Sequence, residues 1–174
     1  MKVTPMKRAL SGEDNVAFMA FHPMDGPLHA SAAFEGQGSC IAEARDMAVG
    51  FLTRMRTEHG VAVSQRALEL TRLVVSELVT NACKYAAGPI LLDVRIAGEL
   101  VEIQVWDCDP VLPMARAAEA GRVGQHGLEI VMAVCQGFEA MREPVGKRII
   151  ARLALKDDPL GHVTKRPVGH QATA

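Results

Sequence analysis

The sequence lacks an excess of either charge: nineteen Lys and Arg stand against twenty Asp and Glu, for a formal net charge of -1. Without a basic surplus it has little with which to neutralise a phosphate backbone, which excludes a general nucleic-acid binder. It also lacks paired cysteines. Cys40, Cys83, Cys108 and Cys135 are scattered, with no CxxC pair to hold zinc and no dense disulfide framework, so reduced thiols in a cytoplasm are the expectation. Long apolar runs are missing too. Val16 to Phe21 is too short for a secretory h-region and follows Glu13 and Asp14, where positive charge belongs, so no signal peptide is read. No later stretch approaches the roughly 18 uninterrupted apolar residues that cross a bilayer, so no membrane partner is expected. No GxSxG elbow supports a Ser-His-Asp hydrolase. Gly146-Lys147 is followed by Arg148, with no upstream glycine to complete a P-loop, and no GxGxxG follows a strand.

What is present is one domain's worth of core: 174 residues, 49% hydrophobic and 22% charged. Residues 1–30 show no period and read as a loosely packed N-terminal arm. A short strand is predicted at Ser31 to Glu35. Ser39 is placed to cap a helix starting at Cys40, with Ile41, Ala44, Ala48, Phe51, Leu52 and Met55 on one face and a stop near Gly60. Ser64 starts a longer helix that runs to about Ala87, ahead of Gly88 and Pro89. The period then falls to two. Ile90, Leu92, Val94 and Ile96 alternate with Leu91, Asp93 and Arg95, and a turn at Gly98-Glu99 leads to Val101, Ile103 and Val105, making a hairpin. Pro110 to Gly124 reads as a loop, Gly127 to Cys135 as a helix, and Phe138 to Arg142 with Arg148 to Leu155 as a second hairpin. Residues 156–174 form a polar tail. This order predicts an α+β, two-layer α/β sandwich, with a mixed or antiparallel sheet and three helices on one face, over residues 31–155.

On a wheel the long helix buries Val74, Val75, Leu78, Ala82 and Tyr85 and exposes Gln65, Glu69, Arg72 and Ser76. Glu77, Asn81 and Lys84 fall between, stacked on one flank at spacings of four and three. They are either a polar stripe at the core boundary or part of a site. Asp107 lies in phase with Val101, Ile103 and Val105 and so points inward. A buried carboxylate must be bonded to protein donors, to water or to a ligand such as an amino group, unless Asp107 simply starts the turn before Pro110. Gly124, Gln125, His126, Gly127 and Leu128 join a loop to a helix start, where glycines let backbone N–H groups approach an anion. No second His or Cys near His126 completes a metal set.

In this order the segments resemble the GHKL ATPases. Val75-Ser76-Glu77-Leu78-Val79-Thr80-Asn81-Ala82 is similar to the N box, Val105-Trp106-Asp107-Cys108-Asp109-Pro110 to the first glycine box, and Gly124-Gln125-His126-Gly127-Leu128 to the second. The nearest branch is the small regulators resembling anti-sigma-factor serine kinases of actinobacterial type. The resemblance implies the Bergerat ATP-binding fold, with ATP and Mg2+ between the long helix, the sheet and a lid at Pro110 to His126. It implies that Asn81 holds magnesium, that Glu77 is the base toward a serine hydroxyl, that Asp107 accepts from the adenine amino group, and that Lys84 meets a phosphate. Asp109 and Val111 stand where the family's first box has glycines, and Arg148 where many relatives have a threonine.

The implied function is an ATP-dependent serine/threonine protein kinase and anti-sigma factor, with an anti-sigma-factor antagonist or a sigma factor as partner and a homodimer as an assembly the branch allows. The alternative is a non-catalytic GHKL-fold module that sequesters a partner with or without nucleotide. A detached histidine-kinase domain is disfavoured, because no helical segment bearing a phospho-accepting His precedes the boxes.

Overall fold

The computed structural model describes residues 28–36, 39–112 and 126–157. Most of the predicted N-terminal arm and C-terminal tail, and residues 113–125 of the lid predicted at Pro110 to His126, lie outside them. The elements in chain order are β1 (His29–Phe34), α1 (Cys40–Glu58), α2 (Gln65–Tyr85), β2 (Ile90–Ala97), β3 (Leu100–Asp107), α3 (His126–Val134), β4 (Gly137–Arg142) and β5 (Lys147–Ala154). Five strands form one sheet in the order β1-β2-β3-β5-β4. Every pairing is antiparallel, which settles the open choice between a mixed and an antiparallel sheet. Among the described residues no helix is long and apolar enough to cross a membrane.

One sheet face carries the core. Ile90, Leu92 and Val94 of β2, Val101, Ile103 and Val105 of β3, and Ile149, Ala151 and Leu153 of β5 alternate inward, as a period of two requires. Onto them pack Ala44, Ala48, Phe51, Leu52 and Met55 of α1, Val74, Val75, Leu78, Val79 and Ala82 of α2, and Val131 of α3. Each Val, Leu, Ile, Phe or Met side chain among them contributes about 1.5–3 kcal/mol on burial and each alanine less, so this layer supplies the main drive for folding. Between the two long helices the Sγ atoms of Cys40 and Cys83 stand 3.0 Å apart as free thiols. Burial, and then the neighbouring Cys40, push the Cys83 thiol up to about 12, so its nucleophilic thiolate is scarce at neutral pH.

The opposite face is less exposed than strand alternation implies. Leu91, Asp93 and Glu102 are all buried there. Asp93 pairs with His29 across the β1–β2 ladder. Glu102 accepts from Arg95 Nε and Gln104 Nε2 at 2.8 Å and from Arg152 Nε at 2.7 Å, joining β2, β3 and β5. Burial alone would raise the Glu102 carboxyl, but the donors outweigh it and hold the group below the usual carboxylate range.

Three local expectations are corrected. Ser39 does not cap the backbone of α1; its hydroxyl donates to the Glu43 carboxylate instead. Ser64 does cap α2, accepting from the Ala67 N–H at 3.0 Å. That helix ends at Tyr85 rather than Ala87, because Ala86 is already extended (φ -101°, ψ 129°). Tyr85, expected on the buried face, is 56% exposed. As the last helical residue it extends past the layer it was expected to join.

Two turns use left-handed glycines for different reasons. Gly98 (φ +62°) links β2 to β3 with open space around it, whereas Gly146 (φ +85°) leaves room for no side chain: a Cβ there would lie 1.9 Å from the Asp107 carbonyl oxygen. The β4–β5 turn is therefore pressed against the end of β3. Gly98→Ala is expected to cost about 1–2 kcal/mol, the left-handed penalty alone, and Gly146→Ala roughly twice that or more, because the backbones must also separate. Urea unfolding of both variants checks this, and equal losses would contradict the close approach.

Candidate functional site

The predicted site residues meet where the C-terminal half of α2, the end of β3 and the start of α3 converge. The N-cap at Ser64 and the buried stripe of Val74, Val75, Leu78 and Ala82 fix the rotation of α2. This leaves Glu77 and Asn81 half-buried on its flank and Lys84 exposed in its last turn. A Cβ on Gly127 would fall 1.9 Å from Glu77 Oε2, so the carboxylate lies directly against the backbone at the start of α3. The N-box flank and the second glycine segment are thereby brought together. A Cβ on Gly88 would lie 2.8 Å from Cys108 Sγ, which places the chain just after α2 against the chain leaving β3.

Asp107 is the last residue of β3 and is 1% exposed, inward as its phase required. Its two oxygens differ. Oδ1 accepts from Lys147 Nζ at 2.8 Å and from the Asp109 backbone N–H at 2.9 Å. Oδ2 is buried with no hydrogen-bond partner. An orphaned buried acceptor is costly unless something donates to it, so the geometry fits a ligand N–H at this point.

Lys147 is the functional-site residue that sequence reasoning missed. It faces Asp107 across the β3–β5 ladder and is itself 1% exposed. Besides Asp107 it bonds the Asp109 carbonyl oxygen at 3.1 Å and Asp109 Oδ2 at 3.0 Å. The Lys147 ammonium holds the Asp109 carboxyl below the usual carboxylate range. A signal was available: Lys147 is in phase with Ile149, Ala151 and Leu153 and so shares their inward face. Arg148, noted in sequence as standing in for a threonine, lies opposite Trp106 and bonds Glu143 at 2.6 Å.

Of the remaining expected residues, Gly124 and Gln125 lie outside the described residues. His126 opens α3, and Leu128 packs half-buried against the core. No group of three or more His, Cys, Asp or Glu among the described residues is arranged to hold a metal ion.

The family described as Histidine kinase-like ATPase domain matches residues 41–153, and the chain belongs to it. The matched span runs from the first turn of α1 almost to the end of β5 and includes the α2 flank, Asp107, α3 and Lys147; β1 lies outside it. No protein of curated function matches the chain. Fold and family agree on an ATP-binding domain of the GHKL type.

A buried acceptor with one open oxygen favours a base that offers an amino group over one that offers a carbonyl. ATP is therefore expected to bind roughly tenfold or more tightly than GTP. Asp107→Asn leaves Lys147 its Asp109 contacts but exchanges one acceptor oxygen for an amide donor, and most of the preference should disappear. Competition titrations with a fluorescent ATP analogue measure both ratios, and an unchanged ratio in the variant removes Asp107 from base recognition.

Proposed function

We propose that this histidine kinase-like ATPase domain is a regulatory serine/threonine protein kinase that binds ATP with magnesium, phosphorylates an anti-sigma-factor antagonist and sequesters a sigma factor. The observation that carries the nucleotide part is the buried, unpartnered Oδ2 of Asp107 at the edge of the core. In this reading Oδ2 accepts from the adenine amino group. Asn81 would offer a neutral oxygen to the cation that accompanies the phosphates. Lys84, exposed in the last turn of α2, faces the phosphates. Bound there, the magnesium nucleotide supplies the transferable phosphoryl group.

The kinase part rests on Glu77. It stands one helical turn before Asn81 on the same flank, against the start of α3. A carboxylate so placed can take the proton from a partner's serine hydroxyl, the role of a positioned general base.

A second reading has its own support. Asp109 replaces a glycine of the first box and is tied to Lys147 by two bonds, which stiffens a turn that the family keeps glycine-rich. A site closed in this way suits a module that holds its partner and transfers nothing.

Asn81→Ala should weaken nucleotide binding by roughly tenfold in the presence of magnesium and change it little in EDTA, with the thermal transition nearly intact. Isothermal titration under both conditions checks this; equal affinity for parent and variant in magnesium removes Asn81 from the cation. Glu77→Gln should keep nucleotide affinity while phosphoryl transfer slows by about a hundredfold or more. The assay incubates parent and variant with labelled ATP and a panel of antagonist proteins and looks for phosphoserine. A parent that labels none while binding one tightly replaces the kinase with the sequestering module.

A further inference from the structure

We propose that Lys147 is a positioning residue that makes Asp107 a reader of a single amino group, by occupying Oδ1 and leaving the buried Oδ2 as the one acceptor open to a ligand. The inference rests on the nucleotide reading of the site and adds to it the element that sets base selectivity. An ammonium has three N–H groups, and those of Lys147 meet three acceptors: Asp107 Oδ1 at 2.8 Å, Asp109 Oδ2 at 3.0 Å and the Asp109 carbonyl oxygen at 3.1 Å. No donor remains for a ligand. Lys147 therefore acts on the base only through Asp107.

The acceptor side is just as constrained. Oδ1 already takes the Asp109 N–H as well as Lys147, and Oδ2 takes nothing. A carboxylate free to rotate would present either oxygen. Held by two donors on one oxygen, it presents the other in a fixed place, and fixed acceptors discriminate because a mismatched ligand leaves them unpaired. Asp109 is part of the device. Standing where relatives have glycine, it gives Lys147 its second carboxylate and carries the N–H that closes the turn on Oδ1. Gly146, packed against the Asp107 backbone, brings the start of β5 close enough for the ion contact. The ligand class is thus a purine nucleotide with an exocyclic amine, preferred over the same nucleotide with a carbonyl at that position.

The test compares ATP with ITP, which differ at that one group, by calorimetric titration of the full chain. The parent is expected to favour ATP by roughly tenfold or more. Lys147→Met should bring the two affinities within about twofold of each other by weakening ATP while ITP is unchanged; a merely structural role would weaken both alike. In the ligand-free variant the Asp109 amide should also exchange with solvent deuterium faster than in the parent. Should Lys147→Met fail to fold, Lys147→Met combined with Asp109→Asn neutralises one of the two carboxylates that the ammonium had balanced and is expected to show the same loss. A folded variant that retains the parent's ATP preference overturns the role of Lys147 and leaves the nucleotide reading standing. A parent that binds neither nucleotide overturns both.

Discussion

An ammonium with 1% exposure cannot be left unpaired, and at the start of β5 Lys147 finds its partners in Asp107 and Asp109. Transfer of an ion out of water costs several kcal/mol, and the cost is offset only when geometry and additional hydrogen bonds are good. Here β3 and β5 end in register, so that Asp107 faces Lys147, and the turn after β3 folds back to bring Asp109 to the same nitrogen. The site depends on this contact. It fixes one oxygen of Asp107 and leaves the other buried without a donor, and it ties down the turn that carries Asp109. The β4–β5 hairpin must also press its Gly146 against the backbone of β3. Removal of either charge would leave the other buried and partly unpaired, so the pair also constrains which substitutions the site can accept.

The two faces of the sheet are stabilised differently, and that difference places the remaining site residues. The helical face is held by aliphatic burial, which is strong but non-directional. It fixes the rotation of α2 through Val74, Val75, Leu78 and Ala82 and thereby sets Glu77 and Asn81 at the core edge. The other face is held by directional bonds. Glu102 gathers Arg95, Gln104 and Arg152, Arg152 reaches Glu139, and His29 meets Asp93, so that all five strands are linked by side chains as well as by the ladder. A helix flank locked in rotation over a sheet locked in register lets a carboxylate on α2 lie against the start of α3.

Much of the fold was legible because period is a local property. The switch from 3.6 to two after Pro89 marks where α2 gives way to β2, and the inward phase of Val101, Ile103 and Val105 carries Asp107 into the core with them. The string from Ser76 to Ala82 was the most informative stretch for the same reason: spacings of four and three on one helix are fixed by helix geometry whatever the rest of the chain does. Boundaries were less legible. Tyr85 belongs to the buried face by angle but lies beyond the core in height, and a wheel has no height. Ser39 has the residue type of a cap, but its hydroxyl goes to Glu43.

The sequence by itself therefore determined the elements, the side each faces, the inward carboxylate of Asp107 and the flank of Glu77 and Asn81, because each follows from spacing along a single helix or strand. Only the tertiary structure decided that β5 lies between β3 and β4, that Lys147 stands opposite Asp107, and that Glu77 rests on Gly127. Those are pairings between residues forty and fifty positions apart along the chain. No local period specifies them, since they arise when the apolar faces of separate elements are buried together and the strand ends come into register.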